Sequence, residues 1–384
     1  NNLNAQTPAL SLPDAIQLAL TNHPAMQTAN YQIQEQEALR RSGFDLPKTQ
    51  FFYEGDALGR RTPDLQHNFG VSQSIDHPRV FKSRNALQEE LIKLSGSNKA
   101  VTQRALKQQV TMAYYDLLTA QNKAQLFAFL DSLYFEFNRL SAMRYQTGET
   151  NLLEKVSVEN QFQKIKVLEA QAILMVSQEQ GRLQLLLGIE EPPVLQATAL
   201  VRIPPTRVDT SFANHPLLVF YRQLQKVVKA EEKVEKAGLL PDFKLSYSTQ
   251  VINGAGGFSG VGVGVGVPLY RKSQRKRIEA AKVRQMVVQS QYGEQRLQLE
   301  SLLNERLLQL QNMEEALVFY ERQGQQLAAE ILRSAHLNYS AGEIGYIEYM
   351  QGLQQVFDLR KGYLDNLQMY NRAMIEVNYL LSGN

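Results

Sequence analysis

From Gly260 to Val267 the chain reads GVGVGVGV. Strict alternation is the period of a strand, so Val261, Val263, Val265 and Val267 share one face and Gly260, Gly262, Gly264 and Gly266 the other. Two further segments alternate in the same sense. DFKLSYSTQVI sets Phe243, Leu245, Tyr247, Thr249 and Val251 against Lys244, Ser246, Ser248 and Gln250, and HNFGVSQSI sets Phe69, Val71 and Ile75 against Asn68, Gly70, Ser72 and Ser74. Together with KTQFFYEGD they predict strands at about 48–56, 67–75, 242–252 and 258–267, joined by loops carrying GRRTPD and NGAGG. An apolar face opposite a small or polar one suits a barrel with lipid outside and water inside, and it suits a strand of a soluble sandwich equally. A phosphate-cradling loop is excluded, because the sixth position from Gly260 is Val265, where G-x-G-x-x-G needs glycine.

The remaining pattern is helical. After Pro78 the chain runs to Gly148 with only Gly96 interrupting, and after Pro268 it runs to Gly342 with Gly293 and Gly324 inside. Runs of this length make about 100 Å of helix. Leu299, Leu303, Leu310, Met313, Leu317, Tyr320, Leu327 and Ile331 follow alternating steps of three and four, with Arg306 and Gly324 at the skipped positions. That heptad predicts helices packed lengthwise as in a coiled coil. Each long helix turns at Gly148 or Gly342, and its partner runs over about 152–187 or 345–382. Phe127, Phe129, Tyr134, Phe135 and Phe137 read as seam packing.

The chain is duplicated. MRYQTGETNLLEKVSVENQ at 143–161 aligns with LNYSAGEIGYIEYMQGLQQ at 337–355, pairing Tyr145 with Tyr339, Gly148 with Gly342, Glu149 with Glu343 and Glu154 with Glu348 at a spacing of 194. NHP recurs at 22–24 and 214–216, and Lys-Ser at 82–83 and 272–273. The halves are 10–187 and 207–382, each a helix, two strands and two long helices, with a proline-rich connector at 188–206. Paired strands from one chain cannot close a barrel, whereas three chains would supply twelve strands.

Composition narrows the class without naming it. The formal net charge of +3 over 384 residues, with basic residues scattered, gives no nucleic-acid footprint. No apolar run is long enough for a transmembrane helix. With no Cys there are no disulfides, thiolate metal sites or cysteine nucleophiles, and no catalytic motif such as G-x-S-x-G, H-E-x-x-H or a P-loop occurs, so no enzyme is expected. His23, His67, His77, His215 and His336 never pair at helical spacing and the Met residues do not cluster, so no metal site or cofactor is expected either. The opening NNLNAQTPALSLPDAI lacks a basic stretch and apolar core, and is read as a chain whose signal peptide has been removed or as a fragment.

RYQTGETNLLEKVSVENQ and NYSAGEIGYIEYMQGLQQ resemble the helix-turn-helix motifs of the TolC-like outer-membrane efflux proteins, and LSLPDAIQLALTNHPAM and GVPLYRKSQRKRIEAAK resemble that family's opening helix and strand-to-helix passage. The likeness covers about 10–382; Ser83 and Ser273 stand where the family usually has glycine. The resemblance implies a mainly α fold with a membrane β-barrel: a long α-helical coiled-coil barrel plus four strands per chain, closed by a homotrimer into a twelve-stranded barrel in the bacterial outer membrane and extending into the periplasm. It implies an exit channel of a tripartite efflux pump, with a periplasmic adaptor, an inner-membrane pump of the resistance-nodulation-division class and outer-membrane lipid as partners. Heavy-metal export is among the family's tasks.

Residue by residue, the resemblance carries a periplasmic constriction onto Glu154, Glu348, Gln351 and Tyr339, with Tyr339 bonding across to Glu154, and adaptor- or pump-contacting turn tips onto Tyr145, Gly148, Glu149, Gly342 and Glu343. Ile344 stands where relatives carry a basic residue. Three copies of Glu348 around a narrow axis would favour cations, while a lone Glu348 would be a solvated helix residue. The competing reading is a soluble periplasmic helical-hairpin adaptor or interaction protein whose strands form a small sheet.

Overall fold

A computed structural model describes residues 9–43, 45–56, 66–205, 212–252 and 254–381. The GRRTPD loop, residues 206–211 and residue 382 lie outside them. Helices α1 (Leu12–Asn22) and α2 (Pro24–Leu39), with a short 3-10 turn, lead to strands β1 (Gln50–Asp56) and β2 (Gln66–Ile75). Helices α3 (Pro78–Gln146), α4 (Leu152–Leu187) and α5 (Pro216–Ala237) precede β3 (Asp242–Ile252) and β4 (Ala255–Gly266). Then come α6 (Lys272–Phe319), a π-helical segment (Tyr320–Gly324), α7 (Gln325–Ser340) and α8 (Tyr346–Leu381). Among the described residues no helix is long and apolar enough to cross a membrane.

Packing divides the chain across its two sequence halves. One unit holds the residues up to Gln27, Thr102–His215 and those from Leu297 on; the other holds Thr28–Val101 and Pro216–Arg296.

The second unit carries the sheet, an antiparallel meander in the order β1-β2-β3-β4. Register sorts the side chains into rows. Phe51, Val71, Tyr247 and Val261 form one, and Ile75, Phe243 and Val265 another, on a single face. Among the described residues nothing covers this face, with Phe51 84% and Val263 79% exposed. The opposite face carries Gln50, Ser72, Ser246 and Gly262 in one row and Phe52, Gly70, Ser248 and Gly260 in the next. Two glycines have a local cause there: a Cβ on Gly70 would strike the Phe52 ring, and one on Gly262 would lie 2.5 Å from Ser246 Oγ. Phe52 is the one large apolar side chain on the polar face of these rows, and Gly70 makes room for it.

Strand limits differ from the sequence pattern at both edges. β1 starts at Gln50 rather than 48; the preceding Thr49 reaches β2 through its side chain, Oγ1 donating to Gln73 Oε1 at 2.6 Å. β4 covers 255–266 rather than 258–267: Ile252 pairs with Ala255, so most of NGAGG is strand, and Gly254 at φ 82° serves the tight connection. Val267 drops out ahead of Pro268, which disfavours continued regular structure.

The helical unit packs around Leu130, Tyr134 and Phe137 of α3, Val158 and Phe162 of α4, Ala335 and Tyr339 of α7, and Tyr349 and Leu353 of α8. Phe129 and Phe135, expected in the seam, are 36% and 55% exposed because they lie off the helical face that carries 127, 130, 134 and 137. Buried Asp116 is paired by Arg372 at 2.8 Å and Arg182 at 3.4 Å, tying α3 to α8 and α4. The connector after Gly188 lies against these helices. Asn371 donates to the Val201 carbonyl and accepts from Ile203 N–H, both at 2.9 Å.

The heptad of the last long helix holds as far as Gly324, where the π segment ends, and breaks beyond it. Leu303, Leu310, Leu317 and Gly324 are buried at steps of seven, but the stripe then continues at Ala328 and Ala335; Leu327 is 42% exposed and Ile331 only half-buried. Lys82-Ser83 and Lys272-Ser273 are 190 apart and the turn glycines 194 apart, so this copy holds four more residues than α3. Buried Ala113, Ala120 and Phe127 match 303, 310 and 317 at the first spacing, and Leu130, Tyr134 and Ser141 match 324, 328 and 335 at the second. Four residues overshoot one α-turn by about 40°. The wider π-turn, seated where the excess falls, absorbs it.

His215 is buried, and burial with the nearby Arg104 charge pushes its pKa from 6.5 down to about 4. Above pH 6.5 it is neutral in both folded and unfolded chains. As pH falls from 6.5 to 4 the unfolded chain gains a proton that the fold refuses, and stability should drop by roughly 3 kcal/mol. Denaturant titrations across this window should show that slope, and His215→Gln should flatten it.

Candidate functional site

The functional candidates of the sequence gather at the two turns joining α3 to α4 and α7 to α8. Both turns have one construction. Gly148 and Gly342 sit at φ 77° and 75°, conformations that only glycine adopts readily. Behind each, the N–H of the next residue reaches back five positions, Glu149 to the Arg144 carbonyl and Glu343 to Asn338, both at 2.9 Å. This Schellman closure satisfies the last carbonyls of the helix and fixes where the returning helix starts.

Glu154 and Glu348 occupy the third position of their returning helices, yet their surroundings differ. Asn151 caps α4 by accepting from the Glu154 N–H at 2.9 Å, which leaves the Glu154 carboxylate free to point inward. It is 8% exposed, takes a hydrogen bond from Thr150 Oγ1, and accepts from the Tyr339 hydroxyl at 3.1 Å. In α8 the residue before the helix is Gly345, which offers no side chain; Glu348 itself turns back and accepts the Gly345 N–H at 3.0 Å. Glu348 is exposed. One glutamate ties two hairpins together, and the other caps its own helix.

Tyr339 is held on three sides. Its ring stacks on Tyr349 at 4.6 Å and 18°, meets Phe137 edge-on at 5.3 Å, and lies under the Arg144 guanidinium at 5.1 Å. Burial first, with the adjoining Glu154 carboxylate adding to it against the opposing pull of Arg144, raises the Tyr339 pKa above the usual 10. Burial pushes Tyr349 up to about 12. Tyr339 is therefore a protonated donor throughout the neutral range, as its bond to a carboxylate requires.

The other candidates are placed apart from this pair. Gln351 is exposed and lines a groove of about 390 Å³ with Ser157, Gln161, Lys164 and Met350, between α4 and α8. Tyr145 is 38% exposed, with Lys155 Nζ 5.3 Å from its ring centre. Glu149 stands 3.7 Å from Arg144, and Glu343 is exposed. Among the described residues no group of three His, Cys, Asp or Glu side chains could hold a metal ion. His23 and His77 instead accept N–H groups at helix starts, from Ala25 at 3.2 Å and Arg79 at 3.1 Å.

No family model and no curated protein sequence matches the chain. Solved structures do. The CmeC outer-membrane channel of Campylobacter jejuni is similar at TM-score 0.76 and 14% identity, over 97% of this chain and 85% of that one. The MtrE outer-membrane channel of Neisseria gonorrhoeae, in its open state, is similar at 0.76 and 16%, over 96% and 88%. CusC, described through its transmembrane channel formation, is similar at 0.79 and 17%, over 97% and 92%. The chain has the TolC-like fold. At these identities the likeness is one of architecture, and the side chains at the turns have to be argued from their own geometry.

Within that fold, sequence reasoning missed Thr150, Asn151, Phe137 and Tyr349 as the supports of the Glu154–Tyr339 pair. Asn151 was legible as a capping residue ahead of LLEK. The packing of Phe137 and Tyr349 on Tyr339 was not, because it joins three helices.

Tyr339→Phe should lower stability by about 1–3 kcal/mol, by leaving a buried carboxylate short of a donor. Glu348→Gln, at an exposed position, should change it by no more than about 0.5 kcal/mol. Thermal or denaturant unfolding of the two variants in parallel checks the contrast.

Proposed function

We propose that the protein is a trimeric exit channel of the bacterial outer membrane, conducting substrates outward from a periplasmic adaptor and an inner-membrane pump. The observation that carries this reading is the sheet: a face of exposed Phe, Tyr, Leu and Val with no second layer over it among the described residues, in a chain whose fold is shared with outer-membrane channels. An apolar sheet face this open is costly in water and at home in lipid. The soluble hairpin reading would require something to cover it. β2, β3 and β4 have 10, 11 and 12 residues, the length of tilted membrane strands.

Three copies of the four-stranded sheet would join edge to edge into a closed barrel of twelve strands with the apolar face outward to outer-membrane lipid and the Ser, Gly, Asn and Gln face inward. The helices would continue the passage into the periplasm. At the turns, Tyr145, Gly148, Glu149, Gly342 and Glu343 would offer the adaptor or pump a surface, and Glu154, Tyr339, Glu348 and Gln351 would form the constriction. The Tyr339–Glu154 bond supports this assignment, since it locks the two hairpins together at one level. Exposed Glu348, repeated three times about the axis, would give a cation-favouring ring. The resistance-nodulation-division class remains the expected pump, and a metal or an organic cargo both suit a passive duct. No chemistry on the cargo is proposed.

Planar-bilayer recording of the detergent-purified protein, with its mass by light scattering, should give a trimer with small, cation-selective currents. A monomer that needs no detergent and carries no current would overturn the channel. Glu348→Ala and Tyr339→Phe should each raise single-channel conductance; unchanged conductance and ion preference in both would place the constriction elsewhere.

A further inference from the structure

The two hairpins are copies, yet the chain fills only one of two equivalent hydrogen-bond positions. Tyr339 of the second hairpin donates to Glu154 of the first. Exchanging the copies turns this pair into Tyr145 and Glu348, each displaced by 194. Among the described residues the Tyr145 hydroxyl has no hydrogen-bond partner, and Glu348 takes only the Gly345 N–H. The tyrosine side of the vacant pair is nonetheless prepared as in the filled one, and the Glu348 carboxylate, beyond its one bond from Gly345, keeps lone pairs open to a further donor. The turns match in glycine φ and in their backward hydrogen bond. Each tyrosine ring is also covered by the residue at one repeat position of its own hairpin: Tyr339 by Tyr349 at 4.6 Å and Tyr145 by Lys155 at 5.3 Å.

In a closed ring of alternating first and second hairpins there are two kinds of junction. First meets second inside a chain, where Glu154 of α4 takes Tyr339 of α7. Second meets first between chains, which brings α8 against α3 of the next copy. We propose that Tyr145 of the partner subunit donates its hydroxyl proton to Glu348 at this second junction, so that the partner completes the site. The inference rests on the trimeric-channel reading. It gives Glu348 two placements: in the wall, held by the tyrosine, or towards the axis in the acidic ring.

The two junctions differ in strength. Phe137 and Arg144, which pack on Tyr339, correspond to Ile331 and Asn338 in the second copy. Neither offers an aromatic edge or a cation to the partner's Tyr145, so the junction between chains is the weaker of the two and the first to give.

The chain has no Cys, which makes cross-linking free of background. In detergent-purified protein, Tyr145→Cys with Glu348→Cys, treated with a short bismaleimide, should yield covalent dimers and trimers on a denaturing gel. The pair Glu154→Cys with Tyr339→Cys should link within the chain and leave the mass unchanged. If light scattering gives a trimer and the control pair links, but Tyr145→Cys/Glu348→Cys stays monomeric, the junction is wrong while the channel stands. A monomer by light scattering overturns the channel and the junction together. Should the cysteine pairs fail to assemble, Tyr145→Phe should lower the temperature at which the wild-type trimer dissociates and have no further effect in a Glu348→Ala background. Additive effects would overturn the junction.

Discussion

Four strands satisfy one another's backbone groups along three seams and leave two rows, on the outer sides of β1 and β4, with no strand partner among the described residues. In a lipid environment each unpaired N–H or C=O costs several kcal/mol. Three copies joined edge to edge, as proposed, would satisfy both rows at once and turn the apolar face to lipid. The rest of the molecule can be understood from that condition. Duplication supplies two strand pairs per chain, and the hydrogen bonds between β2 and β3 hold the pairs in register. The glycines opposite Phe52 and Ser246 let neighbouring strands approach closely on the side that must stay small.

Much of this architecture was legible because it rests on period. Alternation sorted Phe243, Leu245, Tyr247 and the valines of β4 onto one face, and a glycine followed by glutamate marked both helix reversals. Less legible were features set by a single neighbour. Phe52 lies on the polar face only because Gly70 opposes it, and a one-chain pattern contains no information on which residue stands opposite. The heptad extrapolated to Leu327 and Ile331 because periodicity assumes a constant number of residues per turn, and the π segment at Tyr320–Gly324 violates that assumption. At the turns, Glu154 and Glu348 are indistinguishable by spacing. What separates them is the residue three positions earlier, asparagine in one copy and glycine in the other.

That small difference organises the chemistry of the tip. A capping asparagine does the work of satisfying the helix start and releases Glu154 to bind across hairpins; a glycine cannot, and Glu348 is held back to cap its own helix. Copies with nearly the same backbone thus acquire distinct duties. One carboxylate is buried in a fixed hydrogen bond among aromatic rings. The other stays solvated, and beyond its single bond to the Gly345 N–H its carboxylate has lone pairs open to a further donor.

The π segment also reconciles two lengths. Between their Lys-Ser pairs and their turn glycines the two copies differ by four residues. Most insertions in a long helix would swing everything beyond them to a new azimuth, and Tyr339 would no longer look towards Glu154. Here the local widening gives the downstream residues the bearing they have in the other copy. The repeat is thus tolerant of length and strict about angle: four extra residues change the reach of the helix and leave the direction of its buried stripe as it is in the other copy.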